Sequence, residues 1–149
     1  MMKRLLAGIS VALLAIFAVA CGSNGAAKQS SSNGSKIQVV ASLDFYGEVA
    51  KAVGGNKVSV QSIINNPAVD PHDYEPTTKV GKSVASADLV VASGIGYDGW
   101  MDKVVKSADK SKNYLRVADD LMNKKEGDNE HIWYDPRTMP KLANTLADK

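Results

Sequence analysis

Short apolar stretches alternate with amphipathic ones along most of the chain. Lys36–Ser42 (KIQVVAS) is brief and β-branched and predicts a strand. Asp44 can cap a helix with Phe45, Val49 and Ala52 or Val53 on one face, ended by Gly54-Gly55. Lys57–Ile64 (KVSVQSII) predicts a second strand. Asn65–Pro76 holds three prolines and predicts irregular chain. Thr77 can cap a short helix with Val80 and Val84 inward. Asp88–Ala92 (DLVVA) predicts a third strand, and Tyr97–Ala108 a helix with Trp100, Met101, Val104, Val105 and Ala108 on one side. Tyr114–Val117 predicts a short fourth strand. Asp135-Pro136 then opens a helix in which Met139, Leu142, Ala143 and Leu146 recur at helical spacing, with Asp135 as the cap. The order βαβαβαβα predicts an α/β fold: a parallel sheet with right-handed crossovers, flanked by helices on both faces.

The N-terminus follows another pattern. Lys3 and Arg4 precede an apolar run, Leu5–Val19, broken only by Gly8 and Ser10. The run is shorter than the ~20 residues of a spanning helix, and small residues follow it. Residues 1–20 therefore predict a signal peptide. The single cysteine of the chain, Cys21, falls at the end of this run with Gly22 and Ser23 behind it. The arrangement resembles a bacterial lipobox, in which the thiol is lipidated, although Ala18 stands where leucine is usual. Residues 22–35 contain no core-forming side chain beyond alanine and predict a tether, so 21–35 forms a lipidated anchor and linker.

Composition narrows the function. The 149 residues carry 18 Lys and Arg against 16 Asp and Glu. Loss of Lys3 and Arg4 with a signal peptide would leave the charges equal, so the basicity is no argument for nucleic acid. One cysteine excludes an intrachain disulfide framework, and two histidines exclude a three-histidine site.

Three candidate chemistries remain. Gly94, Gly96 and Gly99 form a literal G-x-G-x-x-G between a strand and a helix, with Asp119 near the acidic position of a dinucleotide fingerprint. The motif follows the third predicted strand, where the fingerprint expects the first, and export argues against a nicotinamide cofactor. His72 and His131 each follow a predicted strand, the second or the fourth, and so stand near the carboxyl edge of the sheet, where α/β folds place ligands. Imidazoles with nearby carboxylates suit zinc, manganese or iron, and a second group on the other ring nitrogen would fix the tautomer. Asp70, Asp73, Glu75 and Glu130 are near in sequence. An enzyme using His72 with Asp70 or Glu75 as acid and base is the competing class, but no G-x-S-x-G nucleophile is present and the only thiol is Cys21.

The histidine loops also carry a likeness. VDPHDYEPTTK and GDNEHIWYDPRTMPKLANTLAD, with KIQVVASLDFYGEVAKAVGG and ADLVVASGIGYDGWMDKVV, closely resemble the metal-binding solute receptors of bacterial zinc and manganese ABC importers. The resemblance runs from about Lys36 to Lys149. It implies that His72 and His131 bind a divalent metal ion as transported ligand, and that 36–149 is the N-terminal lobe of a two-lobed solute-binding protein. It further implies no catalytic residues, a membrane permease as partner, and a monomer on the extracellular face of the cell membrane, held by the lipid at Cys21. Family members are roughly twice as long and take their other ligands from a C-terminal lobe, which is expected to be absent here. The chain stops inside the last predicted helix. A surface adhesin or a degenerate fragment is the alternative within the same resemblance. The His-rich acidic loop of many zinc-specific members has no counterpart in Asp119–Glu130, which keeps manganese open.

Overall fold

The computed structural model describes residues 35–149. The proposed signal peptide (1–20), Cys21 and nearly all of the tether lie outside the described residues. Residues Ser35–Lys149 form one compact unit.

Four strands, β1 (Ile37–Leu43), β2 (Val58–Ile64), β3 (Leu89–Ala92) and β4 (Tyr114–Arg116), make one sheet in the order β2-β1-β3-β4. All pairings are parallel, with Ile37 opposite Val58, Val39 opposite Leu89 and Val90 opposite Tyr114. The central strands explain their own composition. From Val39 to Leu43, and throughout β3, every residue is buried, as expected of strands covered on both faces. The edge strands β2 and β4 are only partly buried. The helices α1 (Asp44–Gly54), α2 (Thr78–Ser86), α3 (Trp100–Ser107) and α4 (Thr138–Ala147) form two pairs, α1 packed on α4 and α2 on α3. Among the described residues no helix is long and apolar enough to cross a membrane.

The helices begin and face somewhat differently from the sequence expectation, each for a local reason. In α1 the buried face is Tyr46, Gly47 and Ala50, with Phe45 and Val49 at its margin. Gly47 sets this rotation: a Cβ there would run into the Ser62 hydroxyl and touch Val60 and Ala41, so the helix lies close to the sheet at that glycine. Asp44 is the first residue of the helix instead of its cap, and its Oδ1 accepts from the Phe45 N–H at 2.8 Å. Thr77 does cap α2, its side chain accepting from Val80 N–H, and Val80 and Val84 are buried.

α3 starts at Trp100, three residues later than expected, because residues 94–99 fold into turns around the Asp98 carboxylate. Its buried residues are Trp100, Met101 and Val105. α4 likewise starts at Thr138, because Asp135 is engaged elsewhere. The Asp135 carboxylate accepts from the Arg137 backbone N–H (2.9 Å) and from its guanidinium (Nη2 to Oδ2, 2.6 Å). That pairing holds the Asp135 carboxyl well below the usual carboxylate range. Pro136 thus lies in the turn before the helix, and Pro140 falls in the first turn, where a missing N–H costs nothing. Leu142 is fully buried, and Met139 and Leu146 pack at the edge of the core.

Candidate metal centre

β1 has β2 on one side and β3 on the other, so the chain leaves the carboxyl ends of neighbouring strands in opposite directions and opens a crevice there. A cleft of about 600 Å³ occupies this edge. Its walls include Leu43 at the end of β1 and Phe45 after it, Pro67 and His72 after β2, Tyr97 after β3, and His131 and Trp133 after β4. The two sequence-predicted histidines, 59 positions apart in the chain, therefore line one cleft.

Both rings are held by the same local device. In Asp70-Pro71-His72, Asp70 Oδ1 accepts from the His72 backbone N–H (2.9 Å) and stands 2.9 Å from the ring Nδ1. In Asn129-Glu130-His131, Asn129 Oδ1 accepts from the His131 backbone N–H (3.0 Å) and stands 3.1 Å from Nδ1. One Asx side chain thus closes a turn and fixes the ring two residues on. An acceptor on Nδ1 makes that nitrogen the protonated one and leaves the Nε2 lone pair for another partner. At His131 no hydrogen bond involves Nε2 among the described residues. At His72 the Nε2 lies 2.9 Å from Glu130 Oε1, the residue next to His131. With a carboxylate on each ring nitrogen, the His72 pKa is raised, by Asp70 first and Glu130 second. Asp73 and Glu75, equally close in sequence, make no hydrogen bond to either ring. Among the described residues no group of three or more His, Cys, Asp or Glu side chains is arranged to hold a metal ion.

Aromatic rings complete the site, and sequence reading had not singled them out for it. Tyr97 meets His72 (ring centroids 4.9 Å) and His131 (5.8 Å) edge to face. Trp133 packs on Tyr97 (4.7 Å), on His131 (5.2 Å) and on Phe45 (5.2 Å). The tripeptide Ile132-Trp133-Tyr134 forms a tight turn anchored by Ile132, whose carbonyl accepts from the buried Thr138 hydroxyl at 2.7 Å. Desolvation raises the Tyr97 pKa, helped by the charges of Asp70 and Glu130.

The glycine motif has a different occupant from the one its pattern suggests. Gly94 and Gly96 adopt positive φ (90° and 93°), and Ile95 between them is also left-handed (φ 44°). The amides that would cradle a pyrophosphate are taken by the chain's own carboxylates. Asp98 accepts from Ser93 N–H (2.7 Å) and Gly94 N–H (3.0 Å), and Asp119 accepts from Ile95 N–H (3.1 Å). Asp119, the acidic residue of the would-be fingerprint, sits against Gly94 where a Cβ would otherwise be. The loop is an anion nest filled from within, and it carries Tyr97 into the cleft. Burial raises the Asp98 pKa, against the pull of its two backbone donors.

Comparison with known proteins places the chain in a family. The family model described as zinc-uptake complex component A, periplasmic, matches residues 39–149. The manganese ABC transporter substrate-binding lipoprotein PsaA of Streptococcus pneumoniae (strain TIGR4) is 34% identical over 97% of this chain and 48% of its own length. The iron ABC transporter substrate-binding lipoprotein MtsA of Streptococcus pyogenes serotype M1 is 34% identical over 91% of this chain and 45% of its own. These relatives are named as substrate-binding proteins, not enzymes, and the chain spans about half of their length. Among solved structures, the Zn(II)-bound ZnuA-like domain of S. pneumoniae AdcA superposes with a TM-score of 0.62 at 27% identity, over 76% of this chain and 43% of that one. A parallel sheet whose carboxyl edge holds two anchored imidazoles, and a family match across almost every described residue, lead to one assignment: the chain belongs to the zinc-uptake complex component A family.

Proposed function

We propose that this chain is the metal-capturing part of an extracytoplasmic solute-binding component of an ABC import system. It takes a divalent cation, zinc or manganese, as cargo on His72 and His131 and delivers it to a membrane permease. In this reading 36–149 is the N-terminal lobe, residues 1–20 are a signal peptide, and Cys21 carries the lipid that holds a monomer at the outer face of the cell membrane. A receptor of this kind needs no catalytic group, only donors, a cleft and a docking surface.

One observation supports the site above others. Two imidazoles from distant loops line the same cleft, each with Nδ1 held by an Asx side chain two residues earlier. The anchor leaves Nε2 as the nitrogen a cation would take: among the described residues it has no partner at His131, and at His72 it faces Glu130. The relatives named for manganese and iron and the zinc-bound AdcA domain support a divalent cation as cargo.

Isothermal titration of the chain with zinc and with manganese tests the proposal. His72→Ala and His131→Ala should each weaken binding by more than the ~10–100-fold that loss of an outer-sphere partner costs. Sub-micromolar binding that survives either substitution refutes the site. Loss of radiolabelled palmitate from the chain in Cys21→Ala tests the anchor, since an unlabelled wild type removes it.

A further inference from the structure

His72 has no free ring nitrogen. Asp70 holds Nδ1 at 2.9 Å, and Glu130 holds Nε2 at the same distance. The Glu130 side chain is only 30% exposed, and it reaches His72 from the loop that carries His131. Among the described residues it is the one side chain that ties the two histidine loops together by a direct polar contact to a ring.

A cation bound to His72 Nε2 must come into the space beside this carboxylate. Zinc sits ~2.0–2.1 Å from an imidazole nitrogen and ~2.0–2.2 Å from a carboxylate oxygen. At a tetrahedral angle those bonds put nitrogen and oxygen about 3.4 Å apart. The present separation is 2.9 Å, so Oε1 need retreat from Nε2 by only about half an ångström to become a ligand. Swinging away instead would abandon a strong attraction between an anion and a dication in a cleft walled by aromatic rings. The carboxylate rests on the ring, and among the described residues no three-donor group is present; a cation would draw it across.

We propose that Glu130 is a metal ligand, giving this chain an oxygen donor of its own beside the two imidazoles. The inference rests on the reading of His72 and His131 as the cargo site and deepens it. One oxygen and two nitrogens from a single lobe would let it retain a cation while a remaining position stays open to water or to another donor. It also favours manganese relative to a purely imidazole pair, because oxygen donors suit that ion.

The test uses the chain with Glu130→Gln, Glu130→Asp and His72→Ala. Glutamine keeps the shape and a hydrogen bond to the ring while losing the charge. Titrations with zinc and manganese should show E130Q binding ~10–100-fold more weakly, with manganese affected more than zinc, and E130D recovering part of the loss. Cobalt(II) reports ligand identity directly: its d–d absorption should shift in E130Q. Unchanged or tighter binding in E130Q, with an unaltered cobalt spectrum, overturns the inference and leaves the glutamate as a hydrogen-bond partner of His72 alone. If H72A also binds like the wild type, the cargo site itself is wrong. If H72A loses binding and E130Q does not, only the role of Glu130 falls.

Discussion

The carboxylate of Asp98 fixes the shape of the loop behind the site, and its removal should be costly. Asp98 is 1% exposed and accepts from two backbone N–H groups, Ser93 and Gly94, that are shielded from water. In Asp98→Ala both donors lose their partner. A buried donor left unsatisfied costs ~1–3 kcal/mol, so the sum is about 2–6 kcal/mol before any void is counted. Against a total stability of ~5–15 kcal/mol that is a large fraction. Asp98→Asn behaves differently. Its amide oxygen keeps one donor satisfied, so about 1–3 kcal/mol is lost, and the burial of a charge is relieved at the same time. Asn should therefore be the milder change. Urea unfolding followed by far-ultraviolet circular dichroism and tryptophan fluorescence gives both values. An alanine variant within ~0.5 kcal/mol of the wild type, the spread of unremarkable surface changes, or an asparagine variant less stable than alanine, would refute the reasoning. The pH dependence supplies a sign. Burial raises the Asp98 pKa, so the folded state binds the proton more tightly than the unfolded one. That contribution is complete below the ordinary carboxylate range and disappears as pH rises through the raised value. The cost of asparagine should accordingly be larger at acid pH than at neutral pH.

Two more outcomes are expected. Gly94→Ala puts a methyl group at φ +90° against the Asp119 carboxylate and 3.2 Å from the Arg116 Cβ; left-handed strain of ~1–2 kcal/mol plus roughly 1 kcal/mol for a weakened Asp119–Ile95 bond should lower the melting temperature by several degrees, and an unchanged melt contradicts the packing. Metal affinity should fall with acidification from above pH ~6.5, the ordinary histidine value, because the carboxylates of Asp70 and Glu130 raise the His72 pKa and protons compete for the ring; Asp70→Asn should move that fall to lower pH, and titrations across pH with no such displacement would contradict it. The same shift makes the His72 ion pairs stabilise the fold below the ordinary value and lose that effect as pH rises through the raised one, a small term because the side chain is 42% exposed.

The sequence showed the fold where hydrophobic period and length agreed. β1 and β3 read as strands because they are continuous apolar runs, and both are buried on two faces. The helix boundaries were less legible, and in each case a polar side chain decided them at short range. Asp98 turned its carboxylate back on Ser93 and Gly94 and delayed α3; Asp135 turned toward Arg137 and delayed α4. Propensity alone reads Asp135 as a cap, because a cap and a turn use the same side-chain oxygen. The rotation of α1 depended on the close approach at Gly47, a tertiary fact. The histidines were legible as a pair, and their common cleft follows from strand order. Which carboxylates touch them was not: Asp70 and Glu130 do, Asp73 and Glu75 do not. Only the Asx-x-His spacing, shared by Asp70-Pro71-His72 and Asn129-Glu130-His131, carried a hint of the anchors. Tyr97 and Trp133 gave no signal beyond aromaticity, since core and site use such rings alike.

Each imidazole has its Nδ1 anchored by a residue two places before it. The donor is thus a three-residue cassette whose bearing is insulated from the length of chain that leads into it. Extra residues inserted ahead of Asn129 would lengthen the approach to the cleft without undoing the Nδ1 anchor of His131. A lineage could gain or shed such an appendage while the orientation of the ring stayed as it was.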